Sequence, residues 1–292
     1  MRIPPWLRVT LPKDKNYSCT SGLLREHDLH TVCQSARCPN KWECFSNKVA
    51  TFLVMGSVCS RNCAFCNIDP GDLAPLDPDE PRRVAEAASE LGLRHAVITS
   101  VTRDDLPDGG AAHFAACIRR LRRDRPDCTV EVLIPDFQGD ETALRTVLDA
   151  GPDILNHNVE TASELYGAIR PQADYRQSLA LLRRVAVSGL GIPAKSGLMV
   201  GLGETDEQVR GVIRDLADAG CSIVTVGQYM QPSRRHPRVL RYMPPEEFDA
   251  LADYGRSLGV AHMFCAPRVR SSYNAEQFLQ RAPADEPPGS SR

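Results

Sequence analysis

Six short runs rich in β-branched and apolar residues, at 50–55, 95–100, 129–134, 153–156, 194–200 and 222–228, recur along this chain. Amphipathic segments of helical length separate and follow them, at 80–92, 110–125, 140–150, 162–169, 175–188, 205–219 and 245–258. A strand that returns parallel through a helix is a βαβ unit, and repeated units with right-handed crossovers make one parallel sheet. About six repeats predict an α/β fold, a partial (β/α)6 TIM barrel rather than a doubly wound sheet, with its chemistry at the C-terminal ends of the strands. A length of 292 residues suits one such barrel. Residues 1–47 lack a regular hydrophobic period and read as an N-terminal extension over a barrel spanning 48–260. A C-terminal extension is expected at 261–281, and a disordered tail rich in Pro, Ser and charge at 282–292.

Composition removes several function classes. A net charge of −2 offers no bulk attraction to nucleic acid or to a membrane surface. The run Arg119-Arg120-Leu121-Arg122-Arg123 reads as a solvated helix end, where basic residues suit the dipole. No apolar run approaches a bilayer span, and Met1–Trp6 has no signal-like apolar core, so a cytoplasmic protein is expected. In a reducing compartment, metal ligation outranks a disulfide framework as the use of 11 cysteines.

Six of those 11 form two triads, Cys33-x4-Cys38-x5-Cys44 and Cys59-x3-Cys63-x2-Cys66. Each supplies three thiolates, one short of the set that closes a four-iron cube. The second triad follows the first strand, on the functional face of a barrel. Its open fourth iron would be free to take an amino acid's amine and carboxylate, with Phe65 shielding the site. Structural zinc would want a second ligand pair nearby, and a redox Cys-x-x-Cys would leave the third cysteine idle. Cys19, Cys117, Cys128, Cys221 and Cys265 are scattered and read as small buried hydrophobes.

The second triad resembles the motif of the radical S-adenosylmethionine superfamily. With the first triad, the chain resembles the lipoyl synthase family within it. The resemblance is carried by Cys38-Pro39-Asn40, Glu43-Cys44-Phe45, Ala50-Thr51-Phe52 and Asn156-His157-Asn158-Val159-Glu160-Thr161. Blocks 99–110, 195–205 and 227–234, and the motif Val269-Arg270-Ser271-Ser272-Tyr273, complete it. Small departures are Ala64 in place of a proline, Arg268 before the serine motif, and Met230.

The resemblance implies two [4Fe–4S] clusters and S-adenosylmethionine as cofactors. Cys59, Cys63 and Cys66 would hold the cluster that makes a 5′-deoxyadenosyl radical. Cys33, Cys38 and Cys44 would hold an auxiliary cluster, with Ser272 as fourth ligand and Ser271 as its rival. A serine oxygen is harder than thiolate and suits such a cluster less well, so it would release its iron more readily. The implied substrate is an octanoyl chain on a lysine of a lipoyl carrier domain, of a 2-oxoacid dehydrogenase E2 or the glycine cleavage H protein. Sulfur enters at C6 and C8, two S-adenosylmethionine molecules are consumed, and the auxiliary cluster is spent and rebuilt. An electron donor such as ferredoxin or flavodoxin and an iron–sulfur carrier for repair are further expected partners. No side chain is expected as an acid–base catalyst.

For S-adenosylmethionine, Ser100 and Arg103 after the second strand are candidates for the methionine end. Glu160 is suited to accept from a ribose hydroxyl, and Asn158 to serve the ribose or the carboxylate; helix capping is the plainer alternative for both. Lys195, a charge in an apolar strand, needs a partner, either the cofactor carboxylate or Glu160. His157 reads as a core histidine. Arg234, Arg235, His236, Arg238 and Arg241 form a basic stretch, either a solvated loop or a seat for an acidic carrier protein.

Overall fold

The computed structural model describes residues 2–8, 16–47 and 49–272. The tail expected at 282–292 and Tyr273 of the serine motif lie outside the described residues. The N-terminal extension consists of α1 (Asn16–Glu26), β1 (His30–Thr31), α2 (Val32–Ser35) and α3 (Lys41–Ser46). The first half of the barrel follows as β2 (Thr51–Val54), α4 (Glu80–Leu91), β3 (His95–Ser100), α5 (Ala111–Asp124), β4 (Thr129–Leu133), α6 (Glu141–Asp149) and β5 (Ile154–Asn156). The second half is α7 (Tyr166–Ile169), α8 (Tyr175–Ala186), β6 (Ala194–Val200), α9 (Asp206–Asp218), β7 (Ile223–Gln228), α10 (Pro245–Ser257) and β8 (His262–Ala266).

β2 to β8 pair in chain order, all parallel, and β1 adds antiparallel to β2. The sheet has eight strands in order β1 to β8 and does not close on itself, a partial α/β barrel. The expected six strands are therefore two too few. His262–Ala266, placed by sequence in a C-terminal extension, is the last strand of the sheet; its Met, Phe, Cys and Ala carry little β-branched signal. The segment 162–169, expected as one helix, is a 3-10 turn at Ser163–Leu165 running into the single turn of α7.

Local chemistry sets the helix starts. Asp140 accepts from Thr142 N and Ala143 N to cap α6, and Asp174 accepts from Gln177 N to cap α8. Thr205 and Gln208 form a reciprocal capping box at α9, and each such cap stabilises by about 1 kcal/mol. The amphipathic faces then bury Val84 and Ala88 of α4, Phe114 and Ile118 of α5, Leu182 of α8, Ile213 of α9 and Phe248 of α10. They pack with the outward residues of the strands, such as Ile98 and Val132, in one continuous apolar layer. Each large side chain so buried stabilises by roughly 1.5–3 kcal/mol.

Inside the barrel a smaller cluster of Val97, Ile154 and Ile223, with Phe264 against it, forms a floor. The register puts Glu131 level with Val97 and Ile154, and Lys195 level with Ile223. The open seam between the two sheet edges is bridged by the extensions. Asn40 Nδ2 donates to Arg268 O at 2.7 Å, and Arg268 pairs with Glu43 at 3.2 Å. Gly227 admits this closure, since a Cβ there would lie 2.1 Å from Val269 O. Among the described residues no helix is long and apolar enough to cross a membrane.

Candidate metal centre and active site

The loop after β2 carries Cys59, Cys63 and Cys66, and four neighbouring loops hold it down. Ser60 Oγ donates to Thr102 O at 3.0 Å and accepts from Asp104 N at 3.1 Å. Ala64 N donates to Ile169 O at 2.9 Å. His236 Nε2 donates to Cys66 O at 3.0 Å, while its Nδ1 accepts from Ser233 Oγ at 2.9 Å. Arg61 is the strongest clamp, forked onto Asp136 at 2.7 and 2.8 Å and onto Asp104 at 2.6 and 2.9 Å. Planar bidentate pairs fix direction as well as distance. The sequence reading passed over Arg61, although a charge between Cys59 and Cys63 was a signal that the loop needed an anchor.

The thiols are poor acids on their own. Burial, then the neighbouring Cys63 and Cys59, pushes Cys66 up to about 12, and burial chiefly raises Cys63. Cys59 Sγ accepts backbone N–H bonds from Thr102 at 3.3 Å and Arg61 at 3.4 Å. Crowded, half-buried thiols with amide donors aimed at sulfur fit a metal centre, which deprotonates its thiol ligands outright. Among the described residues no three His, Cys, Asp or Glu gather as ligands of a single ion. A four-iron cube spreads its thiolates over separate corners and asks for no such convergence.

The first triad spans α2 and α3, with Cys38 N donating to Cys33 O at 3.1 Å to fold the turn between them. Cys33 is pushed up to about 11 by burial and then by Cys38, against hydrogen bonding from Thr51. Thr51 Oγ1 also donates to Ser272 Oγ at 2.8 Å, so this threonine joins Cys33 and Ser272. Ser271 faces elsewhere and exchanges hydrogen bonds with Asn158 at 2.7 and 3.0 Å. The half-buried Arg270 guanidinium stands within electrostatic reach of Cys38.

The expected S-adenosylmethionine contacts fare differently. Ser100 closes β3, and its buried Oγ has no hydrogen-bond partner among the described residues. Arg103 is forked onto Asp105 at 2.8 and 2.9 Å and donates to Met55 O at 3.3 Å. Asn158 Nδ2 donates to Glu160 Oε1 at 3.1 Å, and burial raises the Glu160 carboxyl despite nearby Arg170.

Lys195 requires a correction. Its Nζ pairs with Glu131 at 2.8 and 2.9 Å, both side chains fully buried, on the level of the barrel floor. The carboxylate that the fold brings to this charge is Glu131, a partner the sequence reading did not name. Glu131, flanked by Val130 and Val132 in a buried strand, was the overlooked signal, because a charge at such a position demands an opposite one.

Arg170 was also missed. Its Nη1 donates to Asn158 O, Val159 O and Tyr166 Oη at 3.1, 3.3 and 3.0 Å, and its buried Nε has no partner among the described residues. It interacts electrostatically with both Cys63 and Glu160. An arginine before Pro171, after a single helical turn, gave little sequence signal. His157 is the core histidine expected, placed between Ile134 O at 2.9 Å and Ser178 Oγ at 3.0 Å.

An open α/β barrel with a three-cysteine loop after its first parallel strand defines the radical S-adenosylmethionine class of enzyme. The model of the Radical SAM superfamily matches residues 53–216, and that of the N-terminal domain of lipoyl synthase of the Radical_SAM family matches residues 1–38. In fold the chain is similar to Streptococcus suis SuiB bound to precursor peptide SuiA, with a TM-score of 0.57 at 11% identity over 90% of this chain and 55% of that one. Escherichia coli coproporphyrinogen III oxidase gives 0.50 at 15% identity, over 72% and 52%.

Relatives along the whole sequence are more specific. The lipoyl synthase of Oleidesulfovibrio alaskensis is 64% identical over 280 residues, 96% of each chain. That of Nitratidesulfovibrio vulgaris is 63% identical over 290 residues, 97% of each, and that of Caldanaerobacter subterraneus 53% over 283, covering 97% and 99%. The chain belongs to the lipoyl synthase family, a group of radical sulfurtransferases that use [4Fe–4S] clusters and S-adenosylmethionine.

Proposed function

We propose that this enzyme inserts sulfur at C6 and C8 of an octanoyl-lysine on a lipoyl carrier domain, using two separately ligated iron–sulfur clusters. The observation that carries the division of labour is the pair of serines. Ser271 is bound to Asn158, beside Glu160 and the second triad's surroundings, whereas Ser272 is bound to Thr51, beside Cys33. Adjacent residues of one short segment thus reach from one thiol set to the other, which supports a shared cavity and favours Ser272 over Ser271 as fourth ligand to Cys33, Cys38 and Cys44.

Cys59, Cys63 and Cys66 would hold the other cluster. When bound, the two centres supply one-electron cleavage of S-adenosylmethionine and a source of sulfide. The protein's own share is to bind and to orient. The unpartnered Ser100 Oγ and Arg170 Nε are the two buried polar atoms best suited to the amino acid end of S-adenosylmethionine, and Arg170 takes the role first expected of Lys195. Asn158 and Glu160 are kept for the ribose. Arg103 acts through Asp105 and Met55 O, holding the loop after β3. Arg61 fixes the cysteine loop, and the extensions shut the seam against water.

The auxiliary site would be built from the N-terminal extension up to residue 47 and the segment after β8, the boundary expected at 260 moving past that last strand. The carrier, of E2 or H-protein type, a ferredoxin or flavodoxin as reductant, an iron–sulfur carrier for repair and a cytoplasmic location complete the reading. The test is anaerobic reconstitution followed by an octanoyl-lysine peptide, reductant and S-adenosylmethionine. A lipoyl-peptide mass is expected; 5′-deoxyadenosine without any sulfur-bearing product would overturn it.

A further inference from the structure

A cavity of about 720 Å³ opens beside the cysteine loop, lined by Asn62, Cys63 and Cys66 of that loop and by Arg235, His236 and Pro237 after β7. The hydrogen bond from His236 to Cys66 O ties the two walls together. On the same stretch a second cavity, of about 440 Å³, is lined by Gln231, Arg234, Arg238, Val239 and Tyr242, with no carboxylate among its lining residues. Arg235 is neutralised by Asp69 at 2.7 Å, and Arg241 is held by Asp206 and Glu247. Arg234 and Arg238 are exposed and make no ion pair with any described residue. Two guanidinium groups without ion-pair partners among the described residues therefore flank the stretch Arg235–Pro237, which forms one wall of the cavity that Cys63 and Cys66 also line.

We propose that this face docks an acidic protein that delivers single electrons to the centre held by Cys59, Cys63 and Cys66. The inference rests on the function proposed above and names the partner of that site. In each delivery the donor is oxidised by one electron and the centre reduced by one; no bond forms or breaks and no proton moves. Electron transfer weakens steeply with distance, so the productive face is one on which the cluster's own ligands lie. Cys63 and Cys66 line this cavity, and no residue of the first triad or of the 268–272 segment does. A carrier's acyl-lysine arm has to reach between the two clusters, so this wall suits a donor and not the carrier. Rim charge of one sign steers an oppositely charged protein and makes its association sensitive to salt.

The test is the double charge reversal R234E/R238E in the full reconstituted chain, with 5′-deoxyadenosine formation as readout. With dithionite, which needs no docking site, the variant should stay within about twofold of the parent. With reduced flavodoxin, kcat/KM for the donor should fall at least about tenfold, and the parent's decline with added salt should flatten. Equal flavodoxin-driven rates in variant and parent would overturn the proposal. So would a dithionite-driven loss seen with a whole octanoylated carrier but not with an octanoyl-peptide, which would assign the patch to the carrier. If the parent forms no 5′-deoxyadenosine with dithionite, the reading of the second triad fails, and this proposal fails with it.

Discussion

Replacing Lys195 with Met should injure the fold and leave S-adenosylmethionine binding alone. The Lys195 and Glu131 side chains are both 0% exposed, and Nζ sits 2.8 and 2.9 Å from the two carboxylate oxygens. After Lys195→Met, the carboxylate keeps, among the described residues, Asn156 Nδ2 at 3.3 Å and His95 Nε2 at 3.6 Å. Removing one partner of a buried pair costs about 3–5 kcal/mol, because the remaining charge has lost its compensation and cannot reach water. Unfolding entropy of about 2.1 cal/mol/K per residue gives roughly 0.6 kcal/mol/K for a chain of this size, so Tm should drop by about 5–8 °C. The double variant Glu131→Leu, Lys195→Met exchanges the pair for apolar volume and should recover most of that loss. Thermal unfolding by circular dichroism of the parent and of each variant reads the cycle. A Tm shift under about 2 °C for the single variant, or a higher KM for S-adenosylmethionine with stability intact, would refute the assignment of Lys195 to the barrel floor.

Three other perturbations follow from the same geometry. Burial, with help from Arg170, holds His157 down at about 4, so the unfolded chain takes up its proton first as pH falls below about 6.5. The stability this neutral histidine gives is complete above that pH and is lost toward pH 4, by about 2 kcal/mol between pH 7.5 and 5; urea titrations of His157→Gln should lack that part of the slope. Gly227→Ala places a Cβ 2.1 Å from Val269 O and should push the 268–272 segment off the seam. Iron content should fall toward the complement of one cluster while 5′-deoxyadenosine still forms; full iron would count against the closure described. Arg170→Gln should raise KM for S-adenosylmethionine by about tenfold or more, since a charged hydrogen bond is worth about 1.5–3 kcal/mol, and an unchanged KM would return Arg170 to a purely structural role.

The barrel was legible because each parallel strand from β2 to β7 carries a buried β-branched or apolar run and each helix an apolar face. The strands β1 and β8 were not. Two residues of β1 make no pattern, and β8 is half-exposed, so its place depends on an edge that forms only after β7 is laid down. In the site, cysteine spacing exposed both triads directly, since the cysteines of each lie within a few residues of one another. Pairings across long separations stayed hidden. Lys195 with Glu131, Arg61 with Asp136, and Ser272 with Thr51 each join residues that are far apart in the chain. A buried charge announces that it needs a partner; which one it finds is decided by strand register and loop path.

The central claim is that the two cysteine triads hold distinct centres, one starting the radical and the other giving up its sulfur. The most direct measurement loads the anaerobic protein with clusters built from heavy-isotope sulfide and follows a single turnover on an octanoyl-lysine peptide by mass spectrometry. Both sulfurs of the lipoyl product should be heavy, and the variant with Cys33, Cys38 and Cys44 all changed to Ala should release 5′-deoxyadenosine but no sulfur-bearing peptide. Light sulfur in the parent's product, or a normal yield from that variant, would contradict the account.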